Sequence, residues 1–252
     1  LRKVVISGAS SGIGLALARH YLNQGAIVAA LARRGELLQT LAAEFPDKVF
    51  CYALDVRDAF ALQNAAQDFM LHAGVPDIVI ANAGVSRGTL TEYSEDIDAF
   101  QQVIDINLLG IVKTFQPFLV DMREEKKGTL VGIASVAGFR GLPGAGAYSA
   151  SKAAAISYLE SLRVELKDSG VQVVTICPGY IKTPMTDLNP YPMPFILEAE
   201  DAAKRIAGAI ESGKSFTVIP WQMGLVGRIM KMLPNWLYDL VFKKAPYKPR
   251  NI

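Results

Sequence analysis

The sequence predicts an α/β fold: a doubly wound parallel sheet of about seven strands, with helices on both faces in three layers. Three observations predict it. Seven short runs are apolar and rich in branched residues throughout, as strands buried on both faces must be. Longer segments with helical periodicity separate them, so the order along the chain is β-α-β-α. The first run ends in a glycine-rich turn that opens directly into a helix.

The strand runs are KVVIS (3–7), AIVAAL (26–31), KVFCYAL (48–54), DIVIA (77–81), GTLVGIA (128–134), VQVVTIC (171–177) and SFTVI (215–219). Helical pattern fills the gaps, as in GIGLALARHYLNQG and ELLQTLAAEF. No repeat, low-complexity tract or linker interrupts the alternation, so residues 1–252 read as a single domain. Hydrophobic residues make up 51% of the chain, enough for a sizeable core. The 26 basic and 24 acidic residues leave a net charge of +2, which argues against wholesale nucleic-acid binding. Cys51 and Cys177 are far apart and belong to no paired motif; His20 and His72 fall in helical pattern. A disulfide framework, a metal site and a His-based triad are therefore not expected. No run reaches the roughly 18 apolar residues that span a bilayer. LRKVVISGASSGIG does not read as a signal peptide. A cytoplasmic protein is expected.

In such a sheet, ligands bind beyond the carboxyl ends of the strands. SGASSGIG (7–14) lies at the first of these ends. Gly8, Gly12 and Gly14 let the backbone turn tightly and approach a phosphate, and the helix that follows offers free N–H groups at its positive end. A plain glycine turn is the alternative, disfavoured by the strand before it and the helix after it. Further along, Tyr148 and Lys152 in AYSASKAA stand four residues apart, on one face of a helix. That pair alone proves little, since such spacing is common.

The glycines are spaced G-x-x-x-G-x-G. They are followed in order by LDV (54–56), ANAG (81–84), INLLG (106–110), ASVAG (134–138), YSASK (148–152) and PGYIKT (178–183). Over residues 3–219 this set resembles the short-chain dehydrogenase/reductase family. Three places depart from the family's pattern: Ser7 stands for the usual Thr, Ala81 for the first Asn of NNAG, and Ala134 for the first of two serines.

The resemblance implies a Rossmann-like fold, a nicotinamide cofactor, and hydride transfer to or from a carbonyl or secondary alcohol. It makes Tyr148 the general acid/base. A free phenol has a pKa of about 10, and an ammonium one helical turn away, on Lys152, would favour the phenolate and lower it. Ser135 would donate to the reacting oxygen, and Asn107 would complete the catalytic set by holding a water that links Lys152 to solvent. The cofactor would rest on Gly8, Ser10, Ser11, Gly12, Ile13 and Gly14. Asp55 and Val56 would meet the adenine, and Asn82, Ala83 and Gly84 would line its path. Tyr148 and Lys152 would also serve as cofactor ligands, the lysine through the ribose hydroxyls. Pro178, Gly179, Ile181 and Thr183 would shape the nicotinamide end, with Thr183 on the carboxamide.

At the end of the second strand, NAD enzymes of this fold place an acidic residue for the ribose 2′-hydroxyl. Here Ala32 fills that place, followed by Arg33 and Arg34. A guanidinium suits a 2′-phosphate, so NADP(H) is predicted, with Arg33 the preferred ligand. Many NADP-preferring relatives also carry a basic residue just before the second loop glycine, where this chain has Ser11.

Residues 183–206 are rich in proline and apolar side chains, and by resemblance form a substrate loop and helix. Tyr191, Met193 and Phe195 are candidate wall residues there, beside Ser135 and Tyr148. The segment 221–252 has two apolar faces, one of Trp221, Leu225, Ile229 and Leu233, the other of Trp236, Leu237, Leu240 and Val241. It carries six basic residues and one acid. Such a segment packs on its own body, on a partner subunit, or on a membrane surface. An apolar, lipid-like small-molecule substrate follows from both features. The resemblance also implies a homodimer or homotetramer. A non-catalytic NADP(H) sensor and a nucleotide-sugar epimerase or dehydratase are the alternatives on related folds.

Overall fold

The computed structural model describes residues 1–189 and 191–250. Pro190 of the predicted substrate loop, and Asn251 and Ile252 of the terminal segment, lie outside the described residues. Seven strands form one sheet: β1 (Lys3–Ser7), β2 (Ile27–Ala32), β3 (Val49–Ala53), β4 (Ile78–Ala81), β5 (Thr129–Ile133), β6 (Gln172–Pro178) and β7 (Phe216–Ile219). Their order is β3-β2-β1-β4-β5-β6-β7, and every neighbouring pair is parallel. The expected fold class and strand number are the ones found.

Successive side chains of a strand point to opposite faces, so both faces need cover. Val4 and Ile6 of β1 face α1 (Gly12–Asn23), α2 (Gly35–Glu44) and α7 (Ala199–Glu211) in one buried cluster. Val5 faces the other layer, made by α3 (Ala59–Ala73), α5 (Gly110–Glu124) and α6 (Gly146–Glu165). Strands covered on both sides must be apolar at every position, which is why the runs show no alternation. Asp58 starts α3 by accepting the amides of Phe60 and Ala61, both at 3.0 Å.

Helix α4 (Asp96–Ile104) does not end before α5. Residues Asp105–Leu109 join them in a π turn, giving one rod from Asp96 to Glu124. By its length (29 residues) and the mean hydropathy of an 18-residue stretch within it (1.4), this rod is apolar enough to cross a membrane. The sequence shows no unbroken apolar run there because Asp105 and Lys113 interrupt it. Core packing accounts for much of the apolarity, since Ile106, Ile111, Phe115, Phe118 and Met122 are buried against the sheet.

After β7 come α8 (Trp221–Met232) and α9 (Asn235–Phe242). Arg140 fastens them to the body. Its guanidinium donates to the carbonyl oxygens of Met230 and Leu233 at the end of α8. It also lies 4.0 Å from the ring centroid of Tyr238, whose hydroxyl donates to Gly141 O at 2.6 Å. The chain then runs back over the loops that precede α4 and α6. Gly88 N donates to Pro249 O (3.0 Å), and Arg250 pairs with Asp96 (2.9 Å).

Candidate active site

The sheet order reverses between β1 and β4, and the loops leaving their carboxyl ends open a crevice there. The two ends are stitched together. Ser7 Oγ accepts the amides of Asn82 (3.1 Å) and Ala83 (3.2 Å), while Asn82 Nδ2 donates to Ser7 O (3.0 Å) and Gly8 O (3.3 Å). The hydroxyl kept at Ser7 thus has a structural use, and Asn82 is first of all a clamp on the loop.

Gly8 and Gly12 adopt left-handed backbone, with φ of +72° and +55°. Gly14 is needed for a different reason: a Cβ there would run into the backbone carbonyl of Gly8 and the amide of Asn82. Gly14→Ala is expected to cost about 1–3 kcal/mol, as overpacking does. Thermal unfolding checks it, and an unchanged midpoint would contradict the close packing.

Ser11 precedes α1 in extended conformation and caps nothing with its side chain. The first amides of the helix therefore remain available to an anion. The hydroxyls of Ser10 and Ser11 instead accept Arg34 Nη2, at 3.0 and 2.8 Å. Arg34 so places a cation beside the loop position where the sequence has only Ser11. Arg33, beside it in the chain, also lines the crevice, and its charge helps hold Asp55 below the usual carboxylate range. The larger cause of that lowering is Arg57, bonded to Asp55 at 2.7 Å.

A cavity of about 270 Å³ runs along these ends. Every cofactor residue expected from the sequence lines it except Gly14, which packs beneath. Ser135 follows β5 and lines it too; its Oγ accepts Ala137 N (3.1 Å) and donates to Pro178 O (3.5 Å). Helix α6 delivers Tyr148 and Lys152 to the same wall. Lys152 is buried, donates from Nζ to Ile133 O at 2.8 Å, and lies 5.8 Å from the Tyr148 ring centroid. Burial pulls its ammonium down to about 8, partly opposed by the nearby Cys177, which burial itself pushes up to about 12.

The sequence leads one to expect a lowered phenol at Tyr148. In the structure the phenol is raised: burial dominates, Ser135 opposes it through a hydrogen bond, and Lys152 does not offset the rest. At neutral pH Tyr148 is therefore protonated.

Asn107 is fully buried in the π turn rather than on the cavity wall. Its Oδ1 accepts Val85 N (2.8 Å), and its Nδ2 donates to Val85 O (2.9 Å) and Ser151 Oγ (3.0 Å). Ser151 in turn donates to Tyr148 O at 2.8 Å. This chain of bonds links the rod to the first turn of α6. Ser151 escaped the sequence reading, although a small polar residue inside YSASK was the available signal.

The residues expected as a substrate wall stand outside this cavity, though burial pushes the Tyr191 phenol up and Tyr148 is still near enough to add to that push. Tyr191, Met193 and Phe195 do not line the cavity. Tyr191 packs with its ring 6.4 Å from that of Tyr180, Met193 Sδ accepts Asn189 Nδ2 at 3.5 Å, and Phe195 is 51% exposed. Pro184, Met185 and Thr186 line it instead. Thr186 builds that turn, accepting Thr183 N (2.9 Å) and donating to Ile181 O (2.7 Å).

Residues 2–190 match a family model described as short chain dehydrogenase. An uncharacterized oxidoreductase of Myxococcus xanthus is 39% identical, over 96% of this chain and 97% of its own. A 2-dehydro-3-deoxy-L-rhamnonate dehydrogenase (NAD(+)) of Sphingomonas is 37% identical, over 75% and 76%. Among solved structures, an alcohol dehydrogenase from Thermococcus sibiricus complexed with 5-hydroxy-NADP superposes with a TM-score of 0.75, at 26% identity, over 86% of this chain and 95% of that one.

Proposed function

The chain belongs to the short-chain dehydrogenase/reductase family, and from that premise we propose that it is an NADP(H)-dependent oxidoreductase for an apolar, lipid-like carbonyl compound or secondary alcohol. The observation that carries this reading is one cavity lined by Ser135, Tyr148 and Lys152 at one end and by Arg33 and Arg34 at the other. The residues fit a dinucleotide: a glycine cradle that a Cβ would fill, uncapped amides at the start of α1, and two guanidinium groups without an acid at Ala32.

When bound, the nicotinamide supplies or accepts the hydride. Tyr148, held protonated, gives its proton to the carbonyl oxygen as charge develops there. Ser135 Oγ directs a hydrogen bond at the same oxygen. Lys152 stabilises the phenolate left behind, and its own pKa of about 8 lets it take up or pass on a proton near neutrality. Asn107 and Ser151 fix the backbone from which Tyr148 projects. Met185 and Pro184 offer an apolar wall at the reacting end. Exposed Leu109, Val120 and Val164 support a homodimer or homotetramer built on the rod and α6. A cytoplasmic protein with a peripheral contact through its terminal segment completes the reading.

The test is steady-state turnover with NADPH and with NADH, over carbonyl compounds graded from small ketones to long-chain and polycyclic ones. Efficiency should climb with apolar size. NADPH should be preferred by about tenfold or more, the value of one charge-assisted hydrogen bond, and Arg34→Ala should erase much of that preference. Equal use of both cofactors would overturn the NADP(H) assignment.

A further inference from the structure

Folding leaves one side of each terminal helix uncovered. Trp221, Leu225, Ile229 and Met232 of α8 are between 47% and 77% exposed. Helical spacing puts all four on the side opposite buried Met223 and Gly227. On α9, Trp236 (69%) and Leu240 (56%) are exposed opposite buried Tyr238. The inner sides are fixed: a Cβ at Gly227 would strike the Phe139 ring, Met223 seats on Gly179, and Arg140 holds the turn between the helices. The apolar face is thus presented by a supported element. Among the described residues, its own body does not cover it.

Charge decides which occupant suits it. Arg228 and Lys231 flank the ridge of α8, and Lys243 and Lys244 follow Leu240 at the end of α9. All four are exposed, and none joins an ion pair among the described residues. One acid, Asp239, stands against them. A second copy docked across a twofold axis would set this cationic rim against itself. An anionic surface with an apolar interior satisfies both the rim and the ridge, and tryptophan favours the boundary between the two.

We propose that α8 and α9 form a docking surface for an anionic phospholipid bilayer, with Trp221 and Trp236 entering the interface and Arg228, Lys231, Lys243 and Lys244 meeting the headgroups. This does not depend on the oxidoreductase reading. Docking there would bring the bilayer near the active-site cavity, because Gly179, under Met223, lines it.

The chain has two tryptophans, both on this face, so intrinsic emission reports the face directly. The intact chain is mixed with vesicles of phosphatidylcholine alone, or of phosphatidylcholine and phosphatidylserine at two parts to one. Flotation with the phosphatidylserine vesicles, accompanied by a blue shift of emission and reversed by high salt, is the expected result. Each basic residue contributes roughly fivefold to partitioning, so Lys243→Glu with Lys244→Glu should weaken it by at least about 25-fold. Circular dichroism should show the variant still folded, since both positions are exposed.

Four results would overturn the proposal. They are protein left in the soluble fraction, flotation without an emission shift, equal binding to both kinds of vesicle, and an emission shift that follows protein concentration and a doubled mass without lipid. The last would assign the face to a second copy.

Discussion

Tyr148→Phe is expected to lower turnover by about a hundredfold to ten-thousandfold, the range for losing a positioned proton donor, while leaving dinucleotide affinity nearly unchanged. The ring stays, so the wall of the cavity stays; only the hydroxyl that bonds Ser135 is lost. Fluorescence titration with NADPH measures binding, and turnover on the best carbonyl compound measures the chemistry. A variant with full activity would remove Tyr148 from the chemistry. A wild-type protein that binds NADPH but turns over nothing would favour the sensor instead. Because burial raises the phenol, reduction by the wild type should hold its rate through neutral pH and not require an alkaline medium.

Lys152→Met is expected to have the opposite sign on stability and activity. An ammonium with an ordinary pKa of 10.5 sits at about 8 in the folded chain, so the unfolded chain holds this proton more tightly. Below pH 8 the penalty is fully present. It shrinks as pH rises from 8 to 10.5, and above that both states are neutral and it is gone. The shift corresponds to about 3 kcal/mol at most, from which the lost bond to Ile133 O removes about 1. The methionine variant should therefore melt several degrees higher at neutral pH, with little gain near pH 10, and be catalytically poor throughout. Thermal scans at the two pH values check this. A variant less stable than wild type at neutral pH would show that the buried ammonium stabilises the fold.

The strands were legible because a sheet covered on both faces admits only apolar residues; β1 matches its predicted span and each of the other six differs from its own by one residue at one or both ends. The glycine turn that lines the cavity was legible because a tight backbone turn needs positive φ at Gly8 and Gly12, and glycine spacing records backbone. Distant contacts left no such record. INLL reads as ordinary helix; the π turn coincides with bonds from Asn107 to Val85 and Ser151, 22 and 44 residues away. Arg34 reaches Ser11 across 23 residues, so the cation missing beside the loop glycine was invisible locally. The expected lowering at Tyr148 failed because spacing shows a neighbouring charge but not burial. The amphipathic pattern after residue 219 announced an apolar face without saying what it meets; among the described residues, the protein's own body takes the inner sides of the helices and leaves that face uncovered.

The strand order also bears on how the chain is assembled as it emerges from the ribosome. β2 adds beside β1, and β3 adds outside β2; β4 then takes the free side of β1, and β5, β6 and β7 follow outward one by one. No strand has to be threaded between two that have already paired. Each new one meets an open edge left by its predecessors, so vectorial synthesis from the N-terminus can lay down the sheet without undoing any earlier step.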